Sequence, residues 1–266
     1  MTGILALNLA ALAALVPLVL LPFRRKTSDV GLLWASLILA SLGAVVTVIA
    51  QIGQSWNTGL ALTLWVSVAA SLVLFAVFVA LDRSAWRLTP LLAPYLAILG
   101  LLATVWRQTL GHPVAAEAPG AWVQFHIVVS VATYGLLTLS AVSGLAAFLQ
   151  ERALKTKTAN RLTEILPSVA DSEHLSNRLL AASEVVLGLG LASGMAVQFF
   201  ETGVLLQFDH KTLLSILAFL MIGALLIAKQ LTGVRGRAAA RLVLVAYLLL
   251  TLAYPGVKFV TDVLLS

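Results

Sequence analysis

Long apolar runs separated by short polar gaps organise this chain. Eight runs stand out, at about 3–22, 30–52, 58–81, 91–106, 121–149, 177–199, 210–230 and 238–262. A helix crossing about 30 Å of hydrocarbon needs about 20 mostly apolar residues. The fourth run is short, starts after Pro90 and carries Pro94 in its first turn. The eighth contains YPG at 254–256, where proline is expected to kink or end the helix. Transmembrane strands would alternate polar and apolar residues over about 10 positions, and these runs do not. The pattern predicts an all-α polytopic membrane protein: one transmembrane domain over 1–266, a bundle of about eight spans.

The gaps alternate in charge. One set holds Arg24, Arg25 and Lys26; Arg83 and Arg87; Arg152, Lys155, Lys157, Arg161 and Arg178; and Lys229, Arg235, Arg237 and Arg241. The other set holds only Arg107, Lys211 and Lys258. Excess Lys and Arg mark the cytoplasmic side, so eight spans with this alternation put both termini outside. The first span follows the uncharged MTG and precedes RRK, which fits an N-out anchor and not a cleaved signal. Trp56, Trp106 and Trp122 fall at predicted outer boundaries and Trp86 at an inner one, where interfacial anchoring explains them. The longest gap, about 150–176, is expected to be a basic cytoplasmic connector. It would form a surface helix and then a turn at Pro167, touching anionic headgroups.

Composition agrees. The chain of 266 residues is 61% hydrophobic and 11% charged, with mean hydropathy +1.02. Soluble domains carry about 25% charged residues, so the solvent for this surface is lipid. The net charge of +6 resides in the gaps between spans, where it sets orientation and does not imply a nucleic-acid partner. The absence of cysteine excludes disulfides and thiolate chemistry. Walker, nucleophile-elbow, HExxH and Gly-rich phosphate motifs are missing, so no enzyme activity is expected.

Ionisable groups inside a membrane are costly and point to function. His126 lies near the outer end of the fifth run, in WVQFHIVVSVATYG. Ser130, Thr133, Tyr134, Leu137, Ser140 and Gly144 follow at helical steps on or beside one face. His210 opens the seventh run, within QFDHKT, at the same predicted level. Imidazole is the usual nitrogen ligand of haem iron and divalent metals. Two such groups on separate helices can grip an iron porphyrin from opposite faces, with Asp209 orienting His210. Alternatively each histidine is an interfacial polar residue bonded to a neighbour or water, and Asp209 pairs with Lys211. Spacing alone favours that plainer reading, because two unlinked histidines fall short of a metal motif. Glu184, inside the sixth run, is read as a proton-relay group or partner of Lys229, or equally as a protonated or snorkelling carboxyl. His112 and His174 fall in predicted loops, and GLGLASG at 188–194 is a small-residue packing face.

Several stretches resemble, in order, the cytochrome c assembly protein family of the CcsA/HemX type, nearest its YpjD-like inner-membrane branch. They are WVQFHIVVSVATYGLLTLSAVSGLAAFLQER (122–152), LSNRLLAASEVVLGLGLASG (175–194), FDHKTLLSILAFLMIGALLIAKQLTGVRGRAAARLVLVAY (208–247) and LAYPGVKFV (252–260). Together they give a region, 121–262, that resembles the cytochrome c assembly domain. The first four spans match as generic membrane helices. The resemblance implies that His126 is the outer-facing histidine that haem-handling members use. Those members carry a tryptophan-rich WWD motif where this chain reads FFETGVLLQFDHKT, which keeps Asp209 and Lys211 but holds no tryptophan. Their outer histidine near the end of the last helix is absent from KFVTDVLLS, and Lys229 stands where they have a further histidine.

The expected role is haem-associated assembly or transport linked to cytochrome c maturation, in the inner (plasma) membrane. His126 would be an axial ligand, His210 its partner and Asp209 an orienting group, with Ser130 and Tyr134 lining the pocket. Partners would be lipid and proteins of cytochrome c maturation or the haem pathway. The alternatives are a cofactor-free scaffold or interaction protein and, behind it, a small-solute transporter with Glu184 in its proton path.

Overall fold

A computed structural model describes residues 2–24, 30–52, 59–107, 120–207, 209–234 and 236–264. It is helical, with no strand among the described residues. The long helices are α1 (Thr2–Leu20), α2 (Val30–Ile52), α3 (Leu60–Leu81), α4 (Thr89–Val105), α5 (Gly120–Thr156), α7 (Val169–Thr202), α8 (His210–Thr232) and α9 (Gly236–Thr251). The short α6 (Arg161–Ile165) lies between α5 and α7. Among the described residues eight helical segments are long and apolar enough to cross a membrane, and the protein is a multi-pass membrane protein.

Two departures from the sequence expectation have local causes. The connector predicted over 150–176 is mostly a prolongation of its flanking helices. Strong helix formers carry α5 on to Thr156, where Glu151 pairs with Lys155 one turn later. Lys157 then takes a left-handed conformation at φ 53, and the Thr158 N–H caps the Ala153 carbonyl at 3.1 Å. Asn160 and Thr163 form a reciprocal capping box on α6, and Ser168, after Pro167, caps α7. The other departure is at YPG. The chain does not stop there: Leu252–Gly256 widens into a π-helical turn around Pro255, and helical structure continues to Leu264.

Helix α5 is the centre of the bundle. Leu139, Val142 and Ala146 join a core with α1–α4 around Trp65, Phe75, Leu37 and Leu96. Leu137 and Ala141 join a second core with Leu180, Ile222 and Val243 of α7, α8 and α9. The α5–α7 pair is the most extensively packed. Its register is pinned by two serines. Ser140 Oγ donates to the Ser176 carbonyl at 3.0 Å, and Ser176 Oγ donates to the Ser140 carbonyl at 3.1 Å. Small residues let two backbones approach this closely without leaving a polar group unpaired in lipid. A long-range cap ties the last helix to α3, where the Leu60 N–H donates to the buried Asp262 carboxylate at 3.1 Å.

Candidate functional site

The serine register carries His126 of α5 onto the far end of α7. His126 Nδ1 lies 3.0 Å from Ser193 Oγ. Gly194 gives the ring its room: a Cβ there would stand 3.1 Å from His126 Cε1. Ser193 is 2% exposed, and its hydroxyl donates to the Gly190 carbonyl at 3.0 Å. Ser193 Oγ thus stands between the Gly190 carbonyl and the imidazole, 3.0 Å from each. The Gly190 backbone also bonds the ring, so the imidazole is held on this side and Nε2 is left without a partner among these groups. The imidazole is half-buried and oriented through Nδ1.

Exposed aromatics flank this site. Trp122 and Phe125 meet edge to face at 6.4 Å near the start of α5, and Phe199 and Phe200 lie near the end of α7. Gly203, at φ 71, ends α7 in the left-handed conformation beyond them.

His210 is exposed at the first position of α8, and no hydrogen bond joins it to His126. Asp209 precedes it as the helix N-cap, its carboxylate accepting the Thr212 N–H at 2.7 Å. Burial pushes the Asp209 carboxyl up, but the Thr212 backbone and hydroxyl, with Lys211 and His210, outweigh it and hold it below the ordinary range. Asp209 thus serves the helix terminus, where Thr212 holds its carboxylate.

Ser130 is half-buried on α5 between His126 and Tyr134. Tyr134 turns away from His126 into a cluster of hydroxyls joining three helices. Tyr247 of α9 donates to Tyr134 at 3.0 Å and bonds Tyr95 of α4, while Thr138 donates to Tyr247 at 3.3 Å. Tyr134 is 5% exposed, and its hydroxyl is satisfied by these neighbours. At the opposite end of the bundle Lys229 donates to Asn177, and Glu173 accepts the Gly236 N–H at 2.7 Å. Lys229 is therefore not engaged with Glu184. His174 lies exposed on the first turns of α7, and His112 and Trp56 fall outside the described residues.

Sequence reasoning missed Ser193, which it placed inside a packing face. The signal is faint: one hydroxyl among glycines and alanines, 67 residues from the histidine it orients. It also missed the tyrosine cluster and the Asp262 cap, whose partners lie on other helices.

A family model described as "Cytochrome C assembly protein" matches residues 30–265. The match takes in α2–α4 as well as the stretch from 121 onward. The chain is 54% identical over 264 residues to an "Uncharacterized 28.8 kDa protein in nifR3-like 5'region" of Azospirillum brasilense, covering 97% of each chain. No solved structure matches it.

Proposed function

We propose that this chain, which belongs to the cytochrome c assembly protein family, holds haem on the outer face of an inner (plasma) membrane in the service of cytochrome c maturation. The observation that carries the reading is the Gly190–Ser193–His126 relay, which orients the imidazole through Nδ1 and leaves Nε2 for iron. The exposed aromatics Trp122, Phe125, Phe199 and Phe200 offer the macrocycle an apolar rim at the same end of the bundle. Haem, when bound, would supply an iron centre that takes nitrogen ligands. His126 would hold it, with His210 as the second imidazole on that side. Ser130 lies one helical turn from His126 on α5 and is half-buried. The Lys- and Arg-rich ends of the helices support a cytoplasmic face there, with His126 and both termini outside. The chain's part is to bind, orient and present the cofactor to maturation or haem-pathway proteins. No residue here is assigned a bond-breaking step.

The test is a haem titration of the detergent-purified protein followed by Soret absorbance, with His126→Ala and His210→Ala alongside. A Soret band in wild type that is lost in His126→Ala supports the reading. Loss in His210→Ala as well establishes paired ligation, and retention there leaves His126 as the ligand without His210. The absence of any band in wild type overturns the reading and favours a cofactor-free interaction protein.

A further inference from the structure

Helices α7 and α8 meet along a thin seam whose contacts run Asn177 to Lys229, Glu184 to Gly223 and Gly188 to Phe219. Glu184 is the acidic side chain inside it. Gly223 lies nine residues from the end of α8, about 13 Å at 1.5 Å per residue, well within the span. The carboxyl fills the notch that Gly223 leaves: Oε1 stands 3.0 Å from where a Cβ on Gly223 would be. Oε2 is buried with no hydrogen-bond partner among the described residues, and no ion pair there reaches it.

The groups that could answer a charge are committed elsewhere. On α8, Lys229 is bonded to Asn177. On α5, Tyr134 is bonded to Tyr247. On α7 itself, Arg178 is exposed toward the basic end, and Glu173 accepts from Gly236. An ionised carboxylate in this setting would have neither counter-charge nor full hydrogen bonding. The neutral acid has a far smaller desolvation cost. The flanks of the seam, Val185 and Leu189 on α7 and Leu220 and Ile227 on α8, are exposed and apolar, so lipid reaches it.

We propose that Glu184 is a proton-binding site within the bilayer, a neutral carboxylic acid housed by Gly223 at the α7–α8 seam and reached from the lipid. The site is independent of haem and adds to the family role a group able to take up and release a proton at membrane depth.

A hydrophobic carbodiimide tests this on the full-length protein in membranes. The protonated carboxyl adds across one C=N bond of the reagent, and the acyl group then migrates to nitrogen. An N-acylurea forms and nothing leaves. Peptide mapping by mass spectrometry is expected to find the adduct on Glu184. Labelling should fall as pH rises and the acid ionises, and a water-soluble carbodiimide should fail to label the same residue. Glu184→Gln should lose the adduct and keep the wild-type melting temperature, because the amide replaces a neutral acid. Absence of the adduct from wild-type Glu184, labelling by the water-soluble reagent that equals that by the hydrophobic one, or a lowered melting temperature in Glu184→Gln would each overturn the proposal.

Discussion

Replacing Ser193 with alanine separates the chemistry of the imidazole from the packing around it. Ser193→Ala removes one oxygen at a site that is 2% exposed, deleting both the 3.0 Å contact with His126 Nδ1 and the 3.0 Å bond to the Gly190 carbonyl. The Gly190 carbonyl lies in mid-α7, where helical geometry gives it a backbone donor, so its loss is small. The imidazole loses its Ser193 contact and keeps only the Gly190 backbone beside it. Hydrogen bonds between membrane helices average about 0.6 kcal/mol, so the protein should lose less than about 1 kcal/mol of stability. The ligand should lose more. Groups that orient a metal-binding histidine contribute roughly 10–100-fold in affinity, or about 1.4–2.8 kcal/mol. The ring is then less firmly oriented toward the iron. Haem titration followed by Soret absorbance, paired with thermal unfolding in the same detergent, reads both quantities. Wild-type haem affinity in Ser193→Ala refutes the orienting role of Ser193, and so does an affinity loss no larger than the stability loss.

Three further outcomes follow from the packing and the caps. Gly100→Ala places a methyl 3.1 Å from Trp65 Cη2 and from Leu12 Cδ2; Trp65 is fully buried, so overpacking should cost about 1–3 kcal/mol in thermal unfolding, and an unchanged melting temperature would contradict it. Tyr247→Phe removes the hydroxyl shared by Tyr134, Tyr95 and Thr138 and should cost about 1 kcal/mol, read as a lowered melting temperature without loss of helical circular dichroism. Asp209→Ala should cost about 1 kcal/mol at neutral pH by uncapping α8. The folded carboxyl sits below its ordinary value of 3.8, so the cap's contribution is complete above that value and fades as pH falls through the lower folded value. Melting temperatures of wild type and variant should converge in acid, and a gap that widens there would reverse the sign.

The spans were legible because the hydrocarbon thickness sets a length that lipid-facing sequence must meet, and the alternating charge of the gaps marks their ends. Helix ends beyond the membrane were not, since lipid no longer dictates composition there. Polar formers such as Glu151 and Lys155 prolong α5 where the apolar run suggests an end. At Pro255 a widened turn accommodates the missing N–H, an outcome that depends on neighbours the sequence does not name. His126 was legible as an outlier, but its orientation was not. That follows from the α5–α7 register, which the Ser140–Ser176 pair sets. Tyr134 illustrates the same limit. Helical spacing puts it on the stripe below His126, while Tyr95 and Tyr247, 39 and 113 residues away, draw its hydroxyl into another cluster.

Rescue by a free ligand tests the central claim most directly. His126→Gly removes the imidazole and leaves a space beside Gly194 and Ser193. With haem supplied, the variant should show no Soret band of ligated iron, and added imidazole should restore the band with saturable dependence on concentration. A His126→Gly protein that binds haem as wild type does before imidazole is added would contradict the account.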